Sequence, residues 1–97
     1  MRRVVYAASF VDDADEIAEQ IEATFGLPRG ERFRDDLDHF CEVLAELPGR
    51  GKTNHHYGTP LLGVVFETNW IFFRLDDNAA CFIHIVRARR LKSSIRF

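Results

Sequence analysis

Eight cationic side chains, Arg50, Lys52, Arg74, Arg87, Arg89, Arg90, Lys92 and Arg96, fall in the second half of this 97-residue chain. Guanidinium groups grip phosphate and carboxylate through paired, planar hydrogen bonds, so such a set predicts a surface for an anionic partner. Its plainer alternative is a solvated sheet edge followed by a basic tail. Beside Lys52, the run His55-His56-Tyr57 offers an imidazole for general acid–base work and a cation for a charged phosphoryl transition state. The same residues also make an ordinary polar loop. Neighbouring histidines on a strand point apart, and no Cys/His quartet has zinc spacing, so no metal is expected. Gly49-Arg50-Gly51-Lys52-Thr53 lacks the gap of a phosphate-binding loop and follows a helical pattern, not a strand. A third candidate is His84. Strict alternation puts Phe82, His84 and Val86 on one, more open face, and Cys81, Ile83 and Ile85 on a wholly apolar face turned to the helices. His84 then reads either as a packed, hydrogen-bonded side chain or as a site residue.

The net charge of −2 hides a split. Residues 1–48 hold five arginines and twelve acids; residues 49–97 hold eight bases and three acids. Such asymmetry between halves is a cue for charged partners. No apolar run approaches the roughly 20 residues that span a bilayer, and the longest, Leu61 to Phe66, is strand-sized. Met1-Arg2-Arg3 imitates a signal n-region, but Val4 to Val11 is short and runs straight into Asp12 and Asp13, so no export signal is expected. Cys41 and Cys81 sit in apolar surroundings and read as buried thiols of a reduced, cytoplasmic protein. No cofactor is expected, and the length predicts one domain over residues 1–97.

These side chains need elements to position them. Residues 2–8 are β-branched and aromatic and predict a strand. Ser9 with Asp12 resembles a capping box, with the charges of Asp12, Asp13 and Asp15 favouring the positive helix end. Phe10, Ala14, Ile17, Ala18, Ile21 and Phe25 repeat with a helical period, and Gly26 ends the helix. A second helix is expected from Pro28 or Arg29, with Phe33, Leu37, Phe40, Cys41, Leu44 and Leu47 as its stripe and Pro48-Gly49 as its stop. Residues 49–60 read as a polar loop. Three strands follow, 61–66, 70–75 and 79–88, separated by short breaks that suggest antiparallel hairpins. The expected fold is α+β in the order β-α-α-β-β-β, a helical hairpin packed on a largely antiparallel sheet.

Three segments carry a family resemblance. They are Ala45-Glu46-Leu47-Pro48-Gly49-Arg50-Gly51, Asn69-Trp70-Ile71-Phe72-Phe73-Arg74-Leu75 and Phe82-Ile83-His84-Ile85-Val86-Arg87. In this order and spacing, over about residues 4 to 90, the chain resembles the RelE/ParE toxin superfamily, and its ParE branch more than its RelE branch. The resemblance implies the toxin of a bacterial type II toxin–antitoxin system of the plasmid-stabilisation kind. It would inhibit DNA gyrase by binding, without hydrolytic chemistry and without sequence-specific contact to nucleic acid. Its partner would be a ParD-like antitoxin with a ribbon-helix-helix start. The implied gyrase-contacting set is Arg74, Arg87, Arg89, Arg90, Lys92 and Arg96, and the implied antitoxin-binding set is Asp35, Asp36, Asp38, Trp70 and Phe82. Two alternatives stay open. One is a RelE-like ribosome-dependent endoribonuclease using Lys52, His55, Arg74 and Arg87, and the other is a non-toxic interaction domain of the same fold.

Overall fold

A computed structural model describes residues 2–46, 52–54, 61–76 and 78–87. The chain runs β1 (Arg3–Tyr6), α1 (Ala8–Phe25), α2 (Leu27–Glu46), β2 (Lys52–Asn54), β3 (Leu61–Phe66), β4 (Asn69–Leu75) and β5 (Ala79–Arg87). The strands form one sheet in the order β1-β5-β4-β3-β2. Its β2–β3, β3–β4 and β4–β5 pairs are antiparallel, and β1 joins β5 in parallel. The expected α+β architecture is therefore present, with one addition. A short edge strand, β2, occupies part of the stretch that composition marks as a polar loop. Lys-Thr-Asn carries no apolar alternation, so only its pairing with Gly63, Leu62 and Leu61 makes it a strand.

Among the described residues, both helices bury the stripes their spacing predicts, with one exception. Phe10, Ala14, Ile17 and Ala18 of α1 meet Phe33, Leu37, Cys41, Leu44 and Ala45 of α2 over Phe66, Ile71, Phe73, Ala80, Phe82 and Ile85 of the sheet. Phe25, the last residue of the first stripe, is instead 60% exposed. Leu47 lies outside the described residues, as does the expected stop at Pro48-Gly49. A single residue, Gly26, joins the helices at φ +97°, where a side chain would be strained, and its N–H closes α1 on the Glu22 carbonyl at 2.9 Å. Gly30 keeps the hairpin tight: a Cβ there would lie 2.2 Å from Cγ of Glu22.

The start of α1 differs from the expected capping box. Ala7 is the N-cap and offers no side-chain hydrogen bond, and no acid lies in the first turn. Ser9 sits inside that turn and donates to the Ile83 carbonyl at 2.6 Å. The alternation expected along β5 is also broken. Phe73 pairs with Phe82 while its neighbour Phe72 pairs with His84, so Ile83 is an extra residue, a β-bulge. The bulge shifts the phase of the strand. Ala80, Phe82 and Ile85 all reach the main core, and Ile83 packs on the opposite face with Leu61, Trp70, Phe72 and Val86. Phe82, expected on the open face, is fully buried between Phe10, Tyr6 and Phe73.

Two turns close the strands of the second half. Asp76 accepts the N–H groups of Asn78 and Ala79 at 2.8 and 2.7 Å, which holds its carboxyl below the usual carboxylate range. Glu67 opens the β3–β4 turn at φ +55°, a conformation that costs about 1 kcal/mol for a residue with a Cβ. We expect Glu67→Gly to raise stability by about 0.5–1 kcal/mol, since glycine is preferred at the first position of such a turn. A urea melt that leaves the midpoint unchanged or lowered would contradict that account.

Candidate functional site

Where β1 stops at Tyr6, the edge of β5 would be left with unpaired backbone groups. The first turns of α1 take over from the strand. The N–H of Ala7 donates to the Phe82 carbonyl at 2.9 Å, and Ser9 Oγ donates to Ile83 one residue further. Asp13 Oδ2 accepts the N–H of Ile85 at 3.3 Å and lies 3.0 Å from Nδ1 of His84. Ser9 and Asp13 are four residues apart, so one helix face presents both to the strand. His84 is thus a hydrogen-bonded, half-buried side chain at this junction.

The sequence-derived cationic set is not gathered in one place. Arg74 pairs with Cys81, and Arg87 pairs with Asn69, so they stand at opposite ends of the β4–β5 ladder. The five residue-to-residue steps from Asn69 to Arg74 span about 17 Å of strand. Lys52 belongs to edge strand β2, opposite Gly63. His55, Arg89, Arg90, Lys92 and Arg96 lie outside the described residues. The acidic set is also dispersed. At about 100° per residue, Asp36 and Asp38 project from α2 about 160° apart, with Asp35 between them, about 60° from Asp38. Asp36 faces Arg32 at 3.8 Å, whereas Asp38 accepts the Tyr6 hydroxyl at 3.0 Å. Trp70 lies on the sheet face away from the main core, stacked with Phe72 at 6.3 Å, and both rings lie against Gly63. Phe82, in contrast, has no surface to offer a partner.

Among the described residues, the two roomier clefts flank the helical hairpin. A cleft of about 160 Å³ has Tyr6, Phe10, Ala14 and Leu37 below it, half-exposed Val11 at its side, and Asp15, Arg34 and Asp38 at its rim. Arg34 and Asp15 form an ion pair across it, tying α2 to α1. The larger cleft, about 640 Å³, is a wedge between the α1–α2 turn and the β3–β4 turn. Ile17, Ile21 and Phe33 form its apolar part. Arg29 and Arg32 of α2, Arg87 of β5, Asp36 and Glu67 supply its charge, and Arg29 stacks on the exposed Phe25 ring at 4.9 Å. Reading the sequence did not single out Phe25, Arg29 or Arg32 as a site. The available signal was an arginine pair three residues apart, directly after the helix-ending glycine.

Half-buried Tyr6, which lines the smaller cleft, neighbours the enclosed thiol of Cys41. Burial pushes the Cys41 thiol up to about 12, and burial, the neighbouring Cys41 and the Asp38 carboxylate push the Tyr6 hydroxyl up as well. Both groups are therefore neutral at physiological pH. Cys41 was expected to be a buried thiol, and it is fully enclosed.

A strand, a tight helical hairpin and an antiparallel run of strands, with charged clefts beside the hairpin, make up this α+β fold. The model of the family described as "ParE toxin of type II toxin-antitoxin system, parDE" matches residues 4–92, and the chain belongs to that family. Among solved structures, it is similar to the "Chromosomal ParDE TA system from P. aeruginosa", with a TM-score of 0.75 and 16% identity. That likeness covers 90% of this chain and 96% of the other, and at this identity it speaks for the fold. No curated protein matches the sequence. Among the described residues, no helix is long and apolar enough to cross a membrane.

Two measurements test this geometry. Asp13→Ala leaves the Ile85 N–H and His84 Nδ1 without their acceptor and should cost about 1–2 kcal/mol. A double-mutant cycle with Ser9→Ala should be non-additive, and strict additivity would separate the two contacts. The raised Tyr6 and Cys41 groups favour the protein folded while they stay protonated. Their contribution is complete below the unfolded values of about 8.5–10 and is lost as pH rises further. Thermal melts should therefore drop from about pH 9 upward, and a Tyr6→Phe/Cys41→Ala double variant should flatten that drop.

Proposed function

We propose that this ParE-family chain is a toxin that inhibits DNA gyrase by binding and is neutralised by a ParD-like antitoxin with a ribbon-helix-helix start. The carrying observation is the family match over residues 4–92. The charge split supports it. Eight bases follow residue 48 and twelve acids precede it, an asymmetry in sequence suited to two differently charged partners. The gyrase contacts are assigned to Arg74, Arg87, Arg89, Arg90, Lys92 and Arg96. The antitoxin contacts are assigned to Asp35, Asp36, Asp38 and Trp70. Phe82, expected in that set, is fully buried and is not assigned to it.

The endoribonuclease alternative is less favoured by the same geometry. Phosphodiester cleavage needs its general base and its cations within hydrogen-bond reach of one phosphate. Arg74 and Arg87 stand at opposite ends of the β4–β5 ladder.

Inducible expression without a partner tests the proposal. Arrested growth, an induced DNA-damage response and loss of supercoiling by purified gyrase are expected, all reversed by the antitoxin encoded alongside. Arrest with cleaved messenger RNA and intact supercoiling would favour the ribonuclease. Unimpaired growth with tight antitoxin binding would favour the non-toxic domain.

A further inference from the structure

Backbone parity leaves one edge of the sheet open. Arg3 donates its N–H to the Asn78 carbonyl at 2.8 Å, and Ala7 donates to the Phe82 carbonyl at 2.9 Å. Successive strand residues turn their backbone groups to opposite sides, so Arg3, Val5 and Ala7 face β5. Val4 and Tyr6 then turn both N–H and C=O outward, and among the described residues nothing pairs with those groups. Their side chains pack on the main core, while Val5 lies on the other sheet face and is 39% exposed. Natural edges are guarded by prolines, lysines or bulges, and Val4-Val5-Tyr6 carries none of these.

We propose that this edge pairs with the same edge of a second copy of the chain, antiparallel about a twofold axis at Val5. Val4 of each copy exchanges both backbone bonds with Tyr6 of the other. The two Val5 side chains meet on the sheet face away from the helices, as the close, non-hydrogen-bonded pair. One patch serves both copies, so the assembly closes as a dimer. The pairing is independent of the toxin reading.

Charge selects both the direction and the occupant. Exposed Arg3 stands at the start of β1, and exposed Asp12 stands in the first turns of α1, beyond the end of β1. An antiparallel twofold sets the arginine end of each strand against the acidic helix start of the other copy. A parallel pairing would set arginine beside arginine. A strand from a different protein needs neither the twofold axis nor this charge match. The strand has only four residues, so the interface is small and the dimer weak.

Sedimentation velocity on the full chain, from about 5 to about 500 µM, should show a monomer–dimer equilibrium with a Kd on the order of 50 µM. Val5→Lys places like charges directly opposite each other and should weaken the dimer at least about tenfold, with the melting temperature of the monomer unchanged. Val4→Pro removes an outward N–H and leaves the bonds between β1 and β5 in place, so it should abolish pairing. If that variant unfolds, Val5→Lys decides. Arg3→Asp and Asp12→Arg should each weaken the dimer about fivefold, and the two together should restore it. A native chain that stays monomeric over the whole range overturns the proposal and leaves the edge to a different partner. A dimer whose Kd stays within about threefold of native in Val5→Lys overturns it too, because the contact then lies elsewhere. A charge-swapped double variant no tighter than the single ones overturns the twofold arrangement.

Discussion

The end of β1 is the constraint on which the rest of the molecule depends. A four-residue strand cannot cover the edge of a nine-residue one, and β5 continues well beyond Tyr6. Exposed edge groups in a part-buried position are costly unless something else satisfies them. Here a helix does so with side chains, Ser9 on the Ile83 carbonyl and Asp13 on the Ile85 N–H. Both contacts flank the bulged region, so the helix is attached where β5 changes phase. That attachment fixes the N-terminal end of the hairpin over β5. Phe25, in the last turn of α1, is exposed and lines the large wedge.

The hairpin is also electrically heterogeneous. Its net charge is strongly negative, yet neighbouring positions of α2 belong to different surfaces. Asp38 is drawn to Tyr6 on one side and Asp36 to Arg32 on the other. A run of acids in sequence becomes a fan around a helix, because successive residues turn by about 100°. The hairpin therefore presents two fields, one where Asp15 and Asp38 flank Arg34 and one where Arg29 and Arg32 line a cleft with Asp36. Tyr6 links the first of these to the core, since its ring stacks on Phe10 at 5.3 Å while its hydroxyl reaches the surface acid.

Much of the architecture was legible from periodicity. The 3.6-residue stripes located α1 and α2, and the short apolar runs located β3, β4 and β5, because burial against a neighbouring layer demands those spacings. Gly26 was legible as a helix end because few other residues tolerate its backbone. The misses have physical causes. Strand β2 has no apolar signal and exists only through its pairing. Ser9 looked like a cap because a hydroxyl near a helix start satisfies orphan N–H groups, but here a strand edge competes for it. The face of Phe82 was inverted because a single bulge shifts the alternation, and bulges leave no mark on composition.

The candidate site was less legible than the fold. The chain by itself determined its charge split, its buried thiol at Cys41 and the resemblance that leads to the ParE family, since these depend on residue type and order. Only the tertiary structure decided which charges meet. It set Arg74 and Arg87 at opposite ends of one ladder, turned Asp36 and Asp38 to different clefts, and lined one cleft with Arg29, Arg32 and Arg87. The reason is geometric: charge–charge encounters across a sheet and a hairpin are fixed by register and helix phase. Neither quantity is a property of any short stretch of sequence.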